Sequence, residues 1–117
     1  MATSMLPHPL PPALAELVAE RFRLLAEPTR IRLLDALRED ELTVGELADQ
    51  LGTTQQNVSK HLKLLVDGGI VGRERRGVST VCSIIDPLVF DLCEAACGGL
   101  RRQVAQLTQL LDGQDRS

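Results

Sequence analysis

The stretch TTQQNVSKHLKLLVDGG, residues 53–69, decides how the rest of the chain is read. Its first half is polar and almost uncharged; its second half is aliphatic. Val58, Leu62, Leu65 and Val66 recur at i, i+4, i+7 and i+8, the single buried stripe of a helix. Thr53 or Thr54 is placed to cap that helix. Gln55, Gln56, Asn57, Ser59, Lys60, His61 and Lys63 then fall largely on its other faces. Gly68-Gly69 ends it, and the basic run GRERRG follows at 72–77.

Upstream, Thr43 with Glu46 three residues on forms a capping box, and Val44, Leu47, Ala48 and Leu51 make the inner stripe of a preceding short helix. Gly52 supplies the positive φ of a tight turn between the two helices. Ala48 is small where the helices cross, and Val58, ten residues later, packs back into the crossing. These positions together predict a helix-turn-helix. Downstream, IVGRERRGVSTVCSII reads as a two-stranded hairpin, its turn near Arg76-Gly77. Helices are expected at about 12–26, with Leu14, Leu17, Val18, Phe22 and Leu25 as stripe, and at 28–39, with Ile31, Leu34 and Leu37. A last helix is expected at about 87–112, striped by Val89, Cys93, Ala96, Leu100, Val104, Leu107 and Leu111. The predicted organisation is a flexible Pro-rich arm at 1–11, one domain at 12–112 and a tail at 113–117.

A helix with a polar N-terminal half and an aliphatic C-terminal half suits entry into a major groove while remaining anchored in a core. Gln and Asn amides pair bidentately with adenine edges, Ser and Thr hydroxyls reach bases or phosphates, and Lys meets phosphates. The DNA-contacting residues expected here are Thr54, Gln55, Gln56, Asn57, Ser59, Lys60, His61 and Lys63, with Arg73, Arg75 and Arg76 of the hairpin against phosphates or a minor groove. A solvated amphipathic helix is the plain alternative for such a face taken alone, and charged edge-strand residues that block aggregation are the plain alternative for the arginines. The helix-turn-helix triplet beside the basic hairpin favours DNA.

The overall charge of −3 hides a dipole. Residues 54–80 hold five basic against two acidic side chains, +3, which leaves −6 for the remainder. A basic patch on an acidic body is the electrostatic footprint of a nucleic-acid face. Phe22 and Phe90 are the only aromatics, which excludes stacking platforms for single strands. No glycine-rich phosphate loop and no Ser/His/Asp set is present, so no enzyme is expected. No apolar run is long enough to span a bilayer, and the start, MATSMLPHPLPP, lacks a basic region and is broken by four prolines. A cytoplasmic, membrane-free protein is expected, in which NVS at 57–59 is a glycosylation sequon in form only. Three cysteines in a reducing compartment read as free thiols or ligands.

The segments LAEPTRIRLLDAL (25–37), ELTVGELADQLGTTQQNVSKHLKLLVDGGIV (41–71) and RERRGVSTVCSI (73–84) resemble the ArsR/SmtB family of small winged helix-turn-helix repressors. The resemblance covers about residues 12–110, with EPTRIRLL and NVSKHLKLL its specific parts. It implies a mainly α fold with a two-stranded β wing at 70–85, a homodimer built from the terminal helices, and a repressor released from double-stranded operator DNA by a metal, metalloid or other effector. An alternative is a winged-helix interaction module that pairs with a second regulator subunit. The chain departs from the family's two usual ligand regions. Thr43 and Gly45 stand where a Cys-x-Cys motif would place thiols, and the terminal helix has no His pair. What remains is Cys93 and Cys97, one helical turn apart with Cβ atoms about 6 Å from each other, Cys82 on the second strand, and His8 in the arm. As thiolates, Cys93 and Cys97 could share a soft transition-metal or metalloid ion. Buried packing, for which free Cys is well suited, and redox sensing are the competing roles. Gly98-Gly99 signals a helix break or a close helix–helix approach.

Overall fold

The computed structural model describes residues 6–115. The chain divides into two compact units, one ending at Ile85 and one beginning at Asp86. The first holds α1 (Pro12–Leu25), α2 (Pro28–Ala36), β1 (Leu42–Thr43), α3 (Val44–Leu51), α4 (Gln55–Asp67), β2 (Val71–Arg76) and β3 (Ser79–Ile84); the second is α5 (Val89–Asp115).

Local chemistry sets most of these boundaries. Pro12 and Pro28 open their helices, where a missing N–H costs nothing. The expected capping box is present: the Thr43 hydroxyl accepts from the Glu46 N–H at 3.1 Å, and the Glu46 carboxylate accepts from the Thr43 N–H at 3.0 Å. These bonds hold the Glu46 carboxyl below its usual pKa, the Thr43 backbone bond contributing most. Gly52 closes α3 with φ 67°, a left-handed conformation that costs a Cβ-bearing residue about 1–2 kcal/mol.

The core is aliphatic. Leu33, Leu34, Leu47, Val58, Leu62, Leu65, Ile70 and Val71 are all essentially inaccessible, each contributing roughly 1.5–3 kcal/mol on burial. Ala48 is buried where α3 meets α4, as its size requires.

Four expectations are corrected. The wing is part of a three-stranded antiparallel sheet, ordered β1-β3-β2, not a two-stranded one. Leu42 pairs with Cys82 and Thr43 with Val81; a two-residue strand ending in a helix cap carries no periodicity to betray it. Helix α2 stops at Ala36 rather than 39, and its buried face is Leu33, Leu34 and Leu37, while Ile31 is 44% exposed. On α1, Leu17 and Phe22 are exposed rather than inward. Helix α5 starts at Val89, after a turn in which the Leu88 N–H donates to Asp86 Oδ1 at 3.2 Å, and continues to Asp115, past the predicted end at 112. It runs through Gly98-Gly99 unbroken, and a Cβ at either glycine would meet no atom within 4 Å.

Leu6–Pro11 form no regular element; the predicted arm's residues 1–5 lie outside the described residues. On α5, Leu100, Val104, Leu107, Leu110 and Leu111 stand exposed. No helix among the described residues is long and apolar enough to cross a membrane.

Candidate nucleic-acid interface

Helix α4 is capped by the Thr54 hydroxyl, which accepts from the Asn57 N–H at 3.1 Å. Val58, Leu62 and Leu65 turn the other side of the helix into the core. Gln55, Gln56, Ser59, Lys60 and Lys63 are exposed as expected. Asn57 is half-buried and its amide donates to Thr53 Oγ1 at 3.1 Å, so it braces the start of the helix. Lys63 lies 2.8 Å from Asp67 one turn on, an exposed pair worth only tenths of a kcal/mol and easily exchanged for a phosphate.

His61 is the one residue of the set that the structure moves off this face. It is 8% exposed and directed into the molecule, with Nδ1 3.2 Å from Arg30 Nη1 and 3.6 Å from Glu27 Oε2. The expectation that it touches DNA is corrected: at i+3 from Val58 and i−4 from Leu65 it lies along the buried stripe, a spacing that its polar side chain masked.

The wing places Arg73 and Arg75 on one face of β2 and Glu74 and Arg76 on the other, by the alternation of a strand. All four are exposed. Arg75 Nε donates to the Gly77 carbonyl at 3.3 Å. Arg76 donates to Glu41 at 2.8 Å and to Glu74 at 3.0 Å, bonds that raise its pKa, Glu41 first. Lys60, Arg73 and Arg75 hold no ion pair among the described residues. Gly77 turns the hairpin with φ 64°, and Val78 beside it is 96% exposed.

Between wing and helices lies a groove of about 410 Å³, lined by Thr43, Val44, Gly45, Gln55, Ser59, Val78, Ser79 and Thr80. The Gln55 amide nitrogen sits 3.5 Å from where a Cβ of residue 45 would stand, so Gly45 leaves room for that side chain. Sequence reading missed Gly45, Val78, Ser79 and Thr80 because their proximity to α4 is tertiary.

The expected effector residues fall in both units, Cys82 and His8 in the first and Cys93 and Cys97 in the second. Cys82 is fully buried on β3, and burial raises its thiol pKa, with Arg73 opposing. Cys93 is half-buried and Cys97 exposed on α5, and His8 is exposed near the N-terminus. Among the described residues no group of three or more His, Cys, Asp or Glu is placed to hold a metal ion. Cys93 and Cys97 stand one helical turn apart on α5, two of the three or four donors that a thiolate-bound ion takes.

A short helix joined to α4 by a glycine turn, with an arginine-bearing hairpin following, defines a winged helix-turn-helix protein. Residues 25–73 match the family described as a helix-turn-helix domain. The chain is 39% identical over 94 residues to a probable mercury resistance operon repressor of Streptomyces lividans, covering 79% of this chain and 70% of that protein. It superposes on the crystal structure of the antimony-specific transcriptional repressor AntR with a TM-score of 0.72 and 34% identity, over 90% of this chain and 99% of that one. It also superposes on the homodimeric winged helix-turn-helix DNA-binding domain of a Mycobacterium bovis protein, with a TM-score of 0.68 and 26% identity, over 78% and 87% of the two chains. The chain belongs to the ArsR/SmtB family of winged helix-turn-helix transcriptional repressors.

Proposed function

We propose that two copies of this chain pair through α5, with α1 contributing, and repress transcription from a pseudo-palindromic operator until a soft metal or metalloid ion releases them. The observation that carries the DNA reading is the groove that Gln55 and Ser59 of α4 share with Val78, Ser79 and Thr80 of the wing, on a chain whose Gln56, Lys60, Arg73 and Arg75 are also exposed. Gln55, Gln56 and Ser59 face base edges; Lys60, Lys63 and the wing arginines face phosphates. Residues 12–112 act as one DNA-binding and dimerisation domain. Pairing is supported by the exposed leucines of α5, by Leu17 and Phe22 of α1, and by the homodimeric neighbour.

The effector class is supported by relatives named for mercury and antimony and by the two thiols, Cys93 and Cys97, on successive turns of α5. The missing donors would come from the second copy or from solvent. An effector lowers operator affinity only if it favours the arrangement that cannot dock on DNA, and a coupling of about 1–3 kcal/mol gives roughly 5–150-fold release. The test is binding to the DNA upstream of the chain's own gene, over a salt series, with and without mercuric, antimonite, arsenite, zinc and nickel ions. Steeply salt-dependent binding that one of these ions weakens is expected. Salt-independent binding, or indifference to every ion, would refute the corresponding half.

A further inference from the structure

His61 and its partners do more than fill the core. The guanidinium of Arg30 has no acceptor, so Arg30 donates to His61 Nδ1 at 3.2 Å, which assigns the neutral ring's proton to Nε2. The same guanidinium donates through Nε to the Leu24 carbonyl at 2.5 Å and through Nη2 to the Arg23 carbonyl at 3.4 Å, both at the C-terminal end of α1. Glu27 accepts from the Arg30 N–H at 3.1 Å, capping α2, and stands 3.6 Å from the His61 ring. One arginine thus joins α1, α2 and α4.

A second grip lies further along α4. Arg21 of α1 donates to the Gly68 carbonyl at 2.5 Å, and Leu24 covers Gly68 so closely that any side chain there would overlap it. His61 and Gly68 are about two helical turns apart. A rod held at two such points has its pitch and its rotation fixed relative to α1.

We propose that His61 is a positioning residue for DNA reading: through Arg30 and Glu27 it sets the rotation of α4, and with it where Gln55, Gln56 and Ser59 point. The proposal rests on α4 being the DNA-reading helix. Burial of Val58, Leu62 and Leu65 holds α4 in the core, but apolar burial is non-directional and tolerates rotation. Hydrogen bonds to a charged, planar guanidinium are directional. A rotation of about 20° carries a side-chain tip, roughly 6 Å from the helix axis, through about 2 Å, enough to break a bidentate contact to a base. Phosphate contacts by long lysine and arginine side chains survive such a shift, so specificity suffers before affinity does.

The test compares a duplex selected in vitro against the native chain with a scrambled duplex of equal length and composition, at one salt concentration and well below the melting temperature. His61→Leu and Arg30→Lys should each lower the selected-to-scrambled affinity ratio by about tenfold, the worth of one good base contact, and leave scrambled binding unchanged. The double variant should be no worse than the worse single one, because both remove the same tie. His61→Gln, whose amide oxygen can accept from Arg30, should restore the ratio to within about twofold of native. Arg30→Lys keeps the charge and leaves His61 itself in place, so it decides the matter should the His61→Leu core not close. A preserved ratio in Arg30→Lys and His61→Leu, with only the melting temperature lowered, would make His61 a packing residue and overturn the proposal. A native chain that selects no sequence at all would overturn the DNA reading itself, a different failure visible before any variant is made.

Discussion

Arg76 reaches back 35 residues to Glu41, 2.8 Å away, and also holds Glu74 at 3.0 Å, whereas Arg73 and Arg75 of the same strand hold no ion pair among the described residues. The three wing arginines are therefore unequal. Arg73→Ala or Arg75→Ala should flatten the log–log salt dependence of operator binding by about 0.9 for each phosphate no longer neutralised, twice that in a dimer. Arg76→Ala should flatten it less, because that charge is already answered by two carboxylates. Filter binding from low to moderate salt separates them, and an equal flattening for all three would contradict the pairing.

Gly52 should tolerate no side chain without cost. At φ 67° it needs the left-handed region, and nothing crowds it, so the loss in Gly52→Ala is conformational. A destabilisation of about 1 kcal/mol is expected, and more for Gly52→Val with its branched Cβ. Leu62, fully buried at the centre of α4, sets the scale for a packing loss: Leu62→Ala should cost about 2–5 kcal/mol. Urea midpoints at unchanged slope measure both.

Leu107 is 59% exposed on the single chain. If α5 is the dimer surface, Leu107→Glu buries an unpaired charge only on pairing, so it should yield folded monomers with native helix content. Sedimentation and circular dichroism together check this; a dimer as tight as native would remove α5 from the interface.

The capping box predicts an acid-sensitive step. The Glu46 carboxyl is held below its usual pKa, so the stabilisation is present at neutral pH and is lost as pH falls through the lowered value. Melting temperatures across the acid range should fall less steeply in Glu46→Gln than in the native chain. A parallel decline would mean the charge of Glu46 adds nothing to the box.

The thiols should react in the order Cys97, Cys93, Cys82, following exposed, half-buried and buried positions, with the raised pKa of Cys82 slowing it further. Under native conditions a chromogenic disulfide reagent should modify Cys82 only on unfolding. Fast modification of Cys82 would show that β3 opens.

The helix-turn-helix was legible in the sequence because its determinants are local. Thr43 and Glu46 satisfy one another within a single turn, Gly52 needs nothing but its own φ, and the stripe of Val58, Leu62 and Leu65 is written in helical spacing. The exposed face of α4 followed from that stripe. What the tertiary structure decided depends on partners distant in the chain. His61, at i+3 from Val58 and i−4 from Leu65, is spaced to flank the buried stripe, but its partner Arg30, 31 residues earlier, is supplied only by the tertiary structure. Leu42 and Thr43 become a strand only because Cys82 and Val81 come to lie beside them. Arg76 loses its independence to Glu41, and Gly45, Ser79 and Thr80 join the groove through folding alone. The full burial of Cys82 was likewise decided by folding, because burial is a property of everything that surrounds a side chain and not of its neighbours in sequence.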